Sequence, residues 1–144
     1  MGTFALDSSC MVAAVCTWHE RHAAVAAAIE QRLGRGERLV TAAHALVETY
    51  AVLTRLPAPH RVSPSDAWTL IRTNFVTPAK LTALPAARHA ALLETLAAQA
   101  VSGGRAYDAL ISATFERALP VDLLTLNPRH FDARAGLTVV EPGP

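Results

Sequence analysis

The chain begins with a short apolar run that ends at an acid. Thr3–Leu6 contains Phe and Thr and favours a buried strand, and Asp7 follows it directly. The two hydroxyl residues that come next, Ser8 and Ser9, are suited to begin a helix. This order places Asp7 at the carboxyl edge of a sheet, where open parallel α/β sheets bind their ligands. We therefore expect Asp7 to be the first ligand of a divalent-cation site to which later segments bring further carboxylates.

Strands and helices alternate along the rest of the chain. Further strands are predicted at residues 37–42, 121–126 and 137–140, whereas residues 74–84 contain Pro78 and form an edge strand at best. Helices are predicted at 10–18, 21–33, 43–56, 63–73, 85–100 and 106–118. The alternation predicts an α/β fold with a mostly parallel central sheet of four to five strands, flanked by helices on both faces. No linker or repeat interrupts it, so residues 1–144 are expected to form one domain.

Bulk composition narrows the class of protein. A formal net charge of +1 argues against a polybasic nucleic-acid binder, but it leaves room for a nuclease whose metal ions supply positive charge. Cys10 and Cys16 lack a CxxC spacing and are read as free or core thiols. No apolar run approaches the roughly 20 residues that span a bilayer, and the N-terminus does not resemble a signal peptide. We expect a reduced, cytoplasmic protein without a membrane partner.

Four polar positions lie at or near the ends of predicted elements: Asp7, Glu48, Asp108 and Asn127. Each has a structural explanation. Asp7 and Asp108 suit helix starts, and an Asn before a proline suits a turn. Glu48 is the only ionisable group of an apolar helical segment, where a buried acid needs a partner. Arg55, near the same helix face, is one candidate for that partner.

The acids Asp7, Glu48 and Asp108 are more informative when they are considered together. Mg²⁺ and Mn²⁺ prefer carboxylate oxygens and retain several waters, so two or three acids from separate elements suffice to hold one. Clustered acids without a cation repel one another and raise each other's pKa. A bound metal removes that cost and turns a water into a nucleophile near neutral pH.

Four segments resemble PIN-domain ribonucleases of the VapC toxin type, from bacterial or archaeal toxin–antitoxin pairs. The resemblance covers nearly the whole chain. Each motif is short, and their order and spacing make the combination specific. The segments are Phe4-Ala5-Leu6-Asp7-Ser8-Ser9, Ala45-Leu46-Val47-Glu48-Thr49-Tyr50, Ala106-Tyr107-Asp108-Ala109-Leu110-Ile111 and Leu124-Thr125-Leu126-Asn127-Pro128-Arg129-His130-Phe131.

The resemblance implies a role for each candidate residue. The family's first acid falls on Asp7, its helix glutamate on Glu48 and its third acid on Asp108, which together would hold Mg²⁺, with Mn²⁺ as a substitute. The family often has a fourth acid where this chain has Asn127, a departure that puts a tightly held second metal in doubt. Thr125 and Asn127 would position the attacking water or the scissile phosphate.

The resemblance also implies a function and partners. The chain would be a metal-dependent endoribonuclease and the toxin of a toxin–antitoxin pair, cutting RNA such as tRNA or rRNA loops. Arg55, Arg105 and Arg129 are candidates for phosphate contacts, and Lys80 is a weaker one. A cognate VapB-type antitoxin and a second copy of the chain would be its protein partners.

Two other readings stay open. The first is a phosphatase that forms an aspartyl-phosphate. Such enzymes need a second acid two residues after the first, and this chain has Ser9 at that position. The second reading is a catalytically weak PIN scaffold that binds RNA or a protein without cutting, which the Asn127 departure permits.

Overall fold

The computed structural model describes residues 2–132 and 134–143. Its centre is a five-stranded sheet in which all neighbours pair in parallel, in the order β3-β2-β1-β4-β5. The predicted parallel α/β fold is therefore confirmed. The strands are β1 (Thr3–Leu6), β2 (Arg38–Ala42), β3 (Lys80–Thr82), β4 (Val121–Leu124) and β5 (Leu137–Val140).

Six α-helices connect or follow these strands. They are α1 (Ser8–Val15), α2 (His22–Gly34), α3 (Ala43–Thr54), α4 (Pro64–Ile71), α5 (His89–Ala98) and α6 (Arg105–Thr114). Short 3-10 turns precede α5 at Ala86–Arg88, follow α6 at Phe115–Arg117 and follow β4 at Pro128–His130. The helix α4 begins as its sequence predicts, because the Ser63 hydroxyl accepts the Asp66 N–H at 3.2 Å and Pro64 takes the first helical position.

The order of the strands creates a crevice beside β1. From β1 the chain moves through β2 to β3, whereas it moves the opposite way from β4 to β5. Right-handed crossovers then place α1 to α4 on one face of the sheet and α5 and α6 on the other. Contacts of α1 with α2 and α3, and of α5 with α6, agree with this division. The connections diverge between β1 and β4, and ligands of such sheets bind outside the carboxyl ends of the strands at that point.

The core consists of the apolar side chains of β1 and β4 packed against the helices. Phe4, Ala5 and Leu6 are fully buried, as are Leu123 and Leu124 of the adjacent strand. Strands covered on both faces read as continuous apolar runs, which is the pattern of β1. The central pair is therefore a rigid base for the residues that follow it.

Several element boundaries differ from the sequence prediction. The helix α1 begins at Ser8 and ends at Val15, before the predicted end at Trp18. Residues 74–84 contain only the three-residue strand β3, because Arg72–Val76 continues α4 as a π-helical turn. The strand β4 ends at Leu124, so Thr125 lies just beyond it. Within residues 2–132 and 134–143, no helix is long and apolar enough to cross a bilayer.

Candidate active site

Asp7 lies between β1 and α1 and serves as the N-cap of that helix. Its Oδ1 accepts hydrogen bonds from the Ser9 hydroxyl at 2.6 Å and the Cys10 N–H at 3.0 Å, and its Oδ2 accepts one from the Thr125 hydroxyl at 2.5 Å. Its side chain is only 3% exposed. Burial raises the pKa of Asp7, and these hydrogen bonds oppose the rise. A carboxylate offers about four lone pairs, so Asp7 retains room for one further partner.

Thr125 and Asn127 follow β4 at the same edge. The Asp7 N–H donates to the Leu124 carbonyl at 3.1 Å, which holds the ends of β1 and β4 together. Thr125 is fully buried, and its hydroxyl oxygen also accepts the Asn127 N–H at 2.9 Å. Asn127 itself is exposed. Thr125 therefore orients the Asp7 carboxylate, and Asn127 lies at the rim with its backbone bound to that threonine.

Glu48 approaches from α3. Its Oε1 accepts a hydrogen bond from the Ser8 hydroxyl at 2.8 Å, which joins α3 to the start of α1. Its Oε2 is buried and has no hydrogen-bond partner among residues 2–132 and 134–143. Arg55, one candidate for the partner of Glu48, is exposed, and these two described residues form no ion pair. An unpartnered buried carboxylate oxygen is costly, which marks a place for a cation or a water.

Asp108 lies in the first turn of α6, and its Oδ2 is 3.2 Å from His130 Nδ1. Burial is the largest cause of a raised pKa at Asp108. Proximity to His130 lowers that pKa, whereas the charges of Asp7 and Glu48 raise it. Asp108 therefore lies within electrostatic reach of Asp7 and of Glu48. Glu48 binds Ser8, the residue after Asp7, so the side chains of Asp7 and Glu48 both reach the start of α1 at the carboxyl edge of the sheet.

These three acids fit a hydrated divalent ion better than a tightly enclosed one. Within the described ranges, no three His, Cys, Asp or Glu side chains are close enough to coordinate one ion directly. Mg²⁺, however, keeps several waters and needs only one or two carboxylates. The unpartnered Oε2 of Glu48 and the mutual repulsion at Asp108 are both features that a cation would relieve.

The basic candidates occupy different places. Arg105 lies one turn before Asp108 in α6, and Arg129 lies in the turn after β4, so both are near the acids; both are exposed. Arg55 ends α3, seven residues and about 10 Å beyond Glu48 along the helix. Lys80 begins β3 and lines a surface depression with Thr3 and Arg38, the first residues of their strands. Lys80 therefore lies at the amino edge of the sheet, away from the candidate acids, and this position does not support a contact with the RNA phosphate.

Four residues that contact or neighbour the candidate acids were not predicted from the sequence to belong to the site. Ser8 and Ser9 orient Glu48 and Asp7, and His130 pairs with Asp108. The serines adjoin Asp7, which is a signal that sequence reasoning can use. His44 lies one helical turn before Glu48, and its Nε2 is buried without a hydrogen-bond partner. Burial lowers the pKa of His44, which favours a neutral ring.

Comparison with known proteins identifies the family. Residues 4–136 match the PIN domain family. The chain is 41% identical over 133 residues to Ribonuclease VapC40 of Mycobacterium tuberculosis, covering 92% of both chains. It is 36% identical over 108 residues to Ribonuclease VapC27 of the same species, covering 75% of this chain and 73% of the relative.

Solved structures share the fold. DNA-bound VapBC from Salmonella typhimurium matches with a TM-score of 0.67 at 16% identity, covering 98% of each chain. Mycobacterium tuberculosis VapC20, described as a toxin that cleaves the sarcin–ricin loop, matches with a TM-score of 0.62 at 18% identity, covering 83% of this chain and 86% of that one. At these identities the structural matches speak for the fold, while the sequence relatives carry the assignment. This chain belongs to the PIN-domain family, and its sequence relatives are VapC ribonucleases.

Proposed function

We propose that this protein is a metal-dependent endoribonuclease and the toxin of a toxin–antitoxin pair. The observation that carries the proposal is that Asp7, held by the Ser9 and Thr125 hydroxyls where β1 and β4 diverge, lies next to Ser8, which binds Glu48 of α3. The 41% identity to a VapC ribonuclease supports the same reaction. Burial and the charges of Asp7 and Glu48 raise the pKa of Asp108, and a bound cation would remove that cost.

The roles of the residues follow from their contacts. Asp7, Asp108 and Glu48 would hold Mg²⁺ or Mn²⁺, which supplies a Lewis acid and a water of lowered pKa when bound. Thr125 fixes one Asp7 oxygen through its hydroxyl. Glu48 has one oxygen fixed by Ser8 and the other unpartnered, so it is suited to orient the attacking water.

The substrate is RNA with an accessible single-stranded segment. Arg105 and Arg129 flank the acids and would contact phosphates, and Arg55 would contact a more distant part of the strand. Loops of tRNA or rRNA are the expected targets, because unstacked bases are exposed there. VapC20, which shares this fold, is described as cleaving the sarcin–ricin loop.

The proposed protein partners are a VapB-type antitoxin and a second copy of the chain. VapBC complexes are among the proteins that share this fold, including one from Rickettsia felis bound to promoter DNA. Co-expression with the adjacent small reading frame, followed by size-exclusion chromatography with light scattering, would test both partners.

The activity is tested by cleavage of single-stranded RNA during titration with Mg²⁺ or Mn²⁺. Wild type and the Asp66→Asn control, which changes an exposed acid of α4, are expected to cleave. Asp7→Asn and Asp108→Asn are expected to lower the cleavage rate by roughly 10²–10³-fold. In-line attack by water leaves a 5′-phosphate and a 3′-hydroxyl, so a 2′,3′-cyclic phosphate among the products would contradict the mechanism.

The alternative is a PIN scaffold that binds RNA or a protein without cutting. It is favoured by the lack of three directly coordinating acids among the described residues and by the neutral Asn127. Equal RNA binding by wild type and Asp7→Asn, with no cleavage by either, would support this alternative.

A further inference from the structure

A cleft of about 340 Å³ lies between α5 and α6, and Asp108 forms part of its wall. The segment after β4 closes one side through His130 and Phe131. Its volume falls at the lower end of ligand-binding clefts, about 300–1,000 Å³. Asp108 lines it, so the cleft is continuous with the candidate active site.

The α5–α6 cleft has an apolar floor and a polar edge. Leu84, Leu96 and Phe131 line it and are each less than 10% exposed, at 8%, 6% and 8%. Thr95 and Gln99 line it as exposed residues. A glutamine amide both donates and accepts hydrogen bonds. An apolar face bordered by hydrogen-bond donors and acceptors is complementary to a nucleobase.

The charges in the cleft disfavour a phosphate at its centre. Glu116 accepts hydrogen bonds from Arg134 at 3.0 Å and Arg88 at 3.4 Å, so both guanidinium groups are directed at a carboxylate. Arg105 lines the cleft and lies one turn from Asp108. The cleft interior therefore suits an uncharged base, while a phosphate fits the side near Arg105 and the acids.

We propose that the α5–α6 cleft binds one unstacked base of the substrate RNA, adjacent to the scissile phosphate, and sets the base preference at that position. This rests on the proposed ribonuclease function. A base in a duplex is stacked and paired and does not enter a concave cleft, so the site selects single-stranded segments. Gln99 reads the edge of the base, and the floor packs against its face.

Filling the α5–α6 cleft with a large side chain tests whether it binds a base of the RNA. Ala91 is exposed on α5 and lines the cleft, whereas its exposed neighbour Ala90 does not. Ala91→Trp and Ala90→Trp are compared with wild type on a single-stranded RNA library randomised around the cut, with cleavage sites mapped by sequencing. Ala91→Trp is expected to lower kcat/KM at least tenfold and flatten the base preference at one position beside the cut. Ala90→Trp is expected to stay within twofold of wild type.

A subtler variant separates base reading from simple obstruction. Gln99→Leu is expected to relax the preference at the same position while cleavage elsewhere in the sequence profile stays unchanged. If Ala91→Trp and Gln99→Leu both retain the wild-type rate and profile, the cleft does not bind the base, although the nuclease stands.

A wild type that cleaves nothing would overturn the proposed function instead. Fluorescence anisotropy with a labelled form of the same single-stranded RNA then decides whether the α5–α6 cleft binds a base. Weaker binding by Ala91→Trp than by Ala90→Trp supports a base site, and equal affinity overturns it. Circular dichroism of each variant confirms that it is folded.

Discussion

Asp7 caps helix α1 through a hydrogen bond that favours the charged carboxylate, but it is also buried, which favours the neutral acid. As N-cap it accepts the Cys10 N–H, and as a buried carboxylate beside Asp108 it carries a raised pKa. Asn is an equally good N-cap and bears no charge. The two tasks can therefore be separated by a single substitution.

Asp7→Asn is expected to lower RNA cleavage roughly 10²–10³-fold, the scale on which loss of one charge-stabilising group acts. Its folding stability at pH 7 is expected to equal or exceed that of wild type. Because the folded pKa of Asp7 is raised, the folded state binds the proton more tightly, and stability falls as pH rises from the ordinary carboxyl pKa of 3.8 through the raised value. Urea unfolding at pH 4 and pH 7 checks this. A larger loss of stability from pH 4 to pH 7 in Asp7→Asn than in wild type would contradict this expectation.

Thr125 offers a test of the hydrogen bonds that hold Asp7 in place. Thr125→Val keeps the side-chain shape but removes the donor to Asp7 Oδ2 and the acceptor of the Asn127 N–H. A buried group left without its partner costs about 1–3 kcal/mol, and we expect a loss of that size in urea unfolding at pH 7. Thr125→Ser retains the hydroxyl and serves as the control. Equal stability of the two variants would show that these hydrogen bonds contribute nothing.

At the scale of elements, α6 delivers Asp108, and its start depends on one left-handed glycine. Gly103 has φ +64°, whereas the adjacent Gly104 has φ −60° in the right-handed region, and an added Cβ at either position would meet no atom within 4 Å. Backbone conformation therefore distinguishes the two glycines, and steric space does not.

Gly103→Ala is expected to destabilise the fold by about 1–2 kcal/mol, the cost of a left-handed alanine. Gly104→Ala is expected to be neutral or stabilising by about 0.4–1 kcal/mol, since it only restricts the unfolded chain. Urea denaturation of both variants measures the difference. The expectation fails if Gly104→Ala is the more destabilised of the pair.

Local sequence patterns predicted the strands and helices that carry the candidate site, but not the tertiary contacts that their side chains make. The apolar run before Asp7 predicts β1, and Ser63-Pro64 predicts the start of α4, because strand and cap signals depend on neighbouring residues. The partner of Glu48 is different. Ser8 is 40 residues away and meets it only because α1 packs against α3, so a helix-face argument chose Arg55 instead.

The shortness of β3 has a similar cause. Lys80–Thr82 is held at the sheet edge by pairing with β2, while the preceding residues Arg72–Val76 continue as a π-helical turn. Three residues carry too little alternation to be recognised alone. Tertiary pairing decides this element, and sequence periodicity does not.

At the scale of the whole molecule, a divalent ion held by Asp7, Glu48 and Asp108 would couple folding to ion concentration. Segments far apart in sequence meet at the cluster, so the unfolded chain has no equivalent site. An ion that binds only the folded state stabilises it by RT ln(1 + [L]/Kd), about 2.7 kcal/mol at a hundred times Kd.

Mg²⁺ or Mn²⁺ is therefore expected to raise the unfolding midpoint of wild type as the ion concentration rises, without RNA or activity as a readout. Relief of the repulsion between Asp108 and its neighbouring acids supplies the driving force. Asp108→Asn removes one of the proposed ligands and should abolish most of the rise. Glu30→Gln, which changes an exposed acid on α2, is the control and should keep it. Equal rises in all three proteins would mean that the ions act elsewhere, and no rise in any would favour the scaffold over the nuclease.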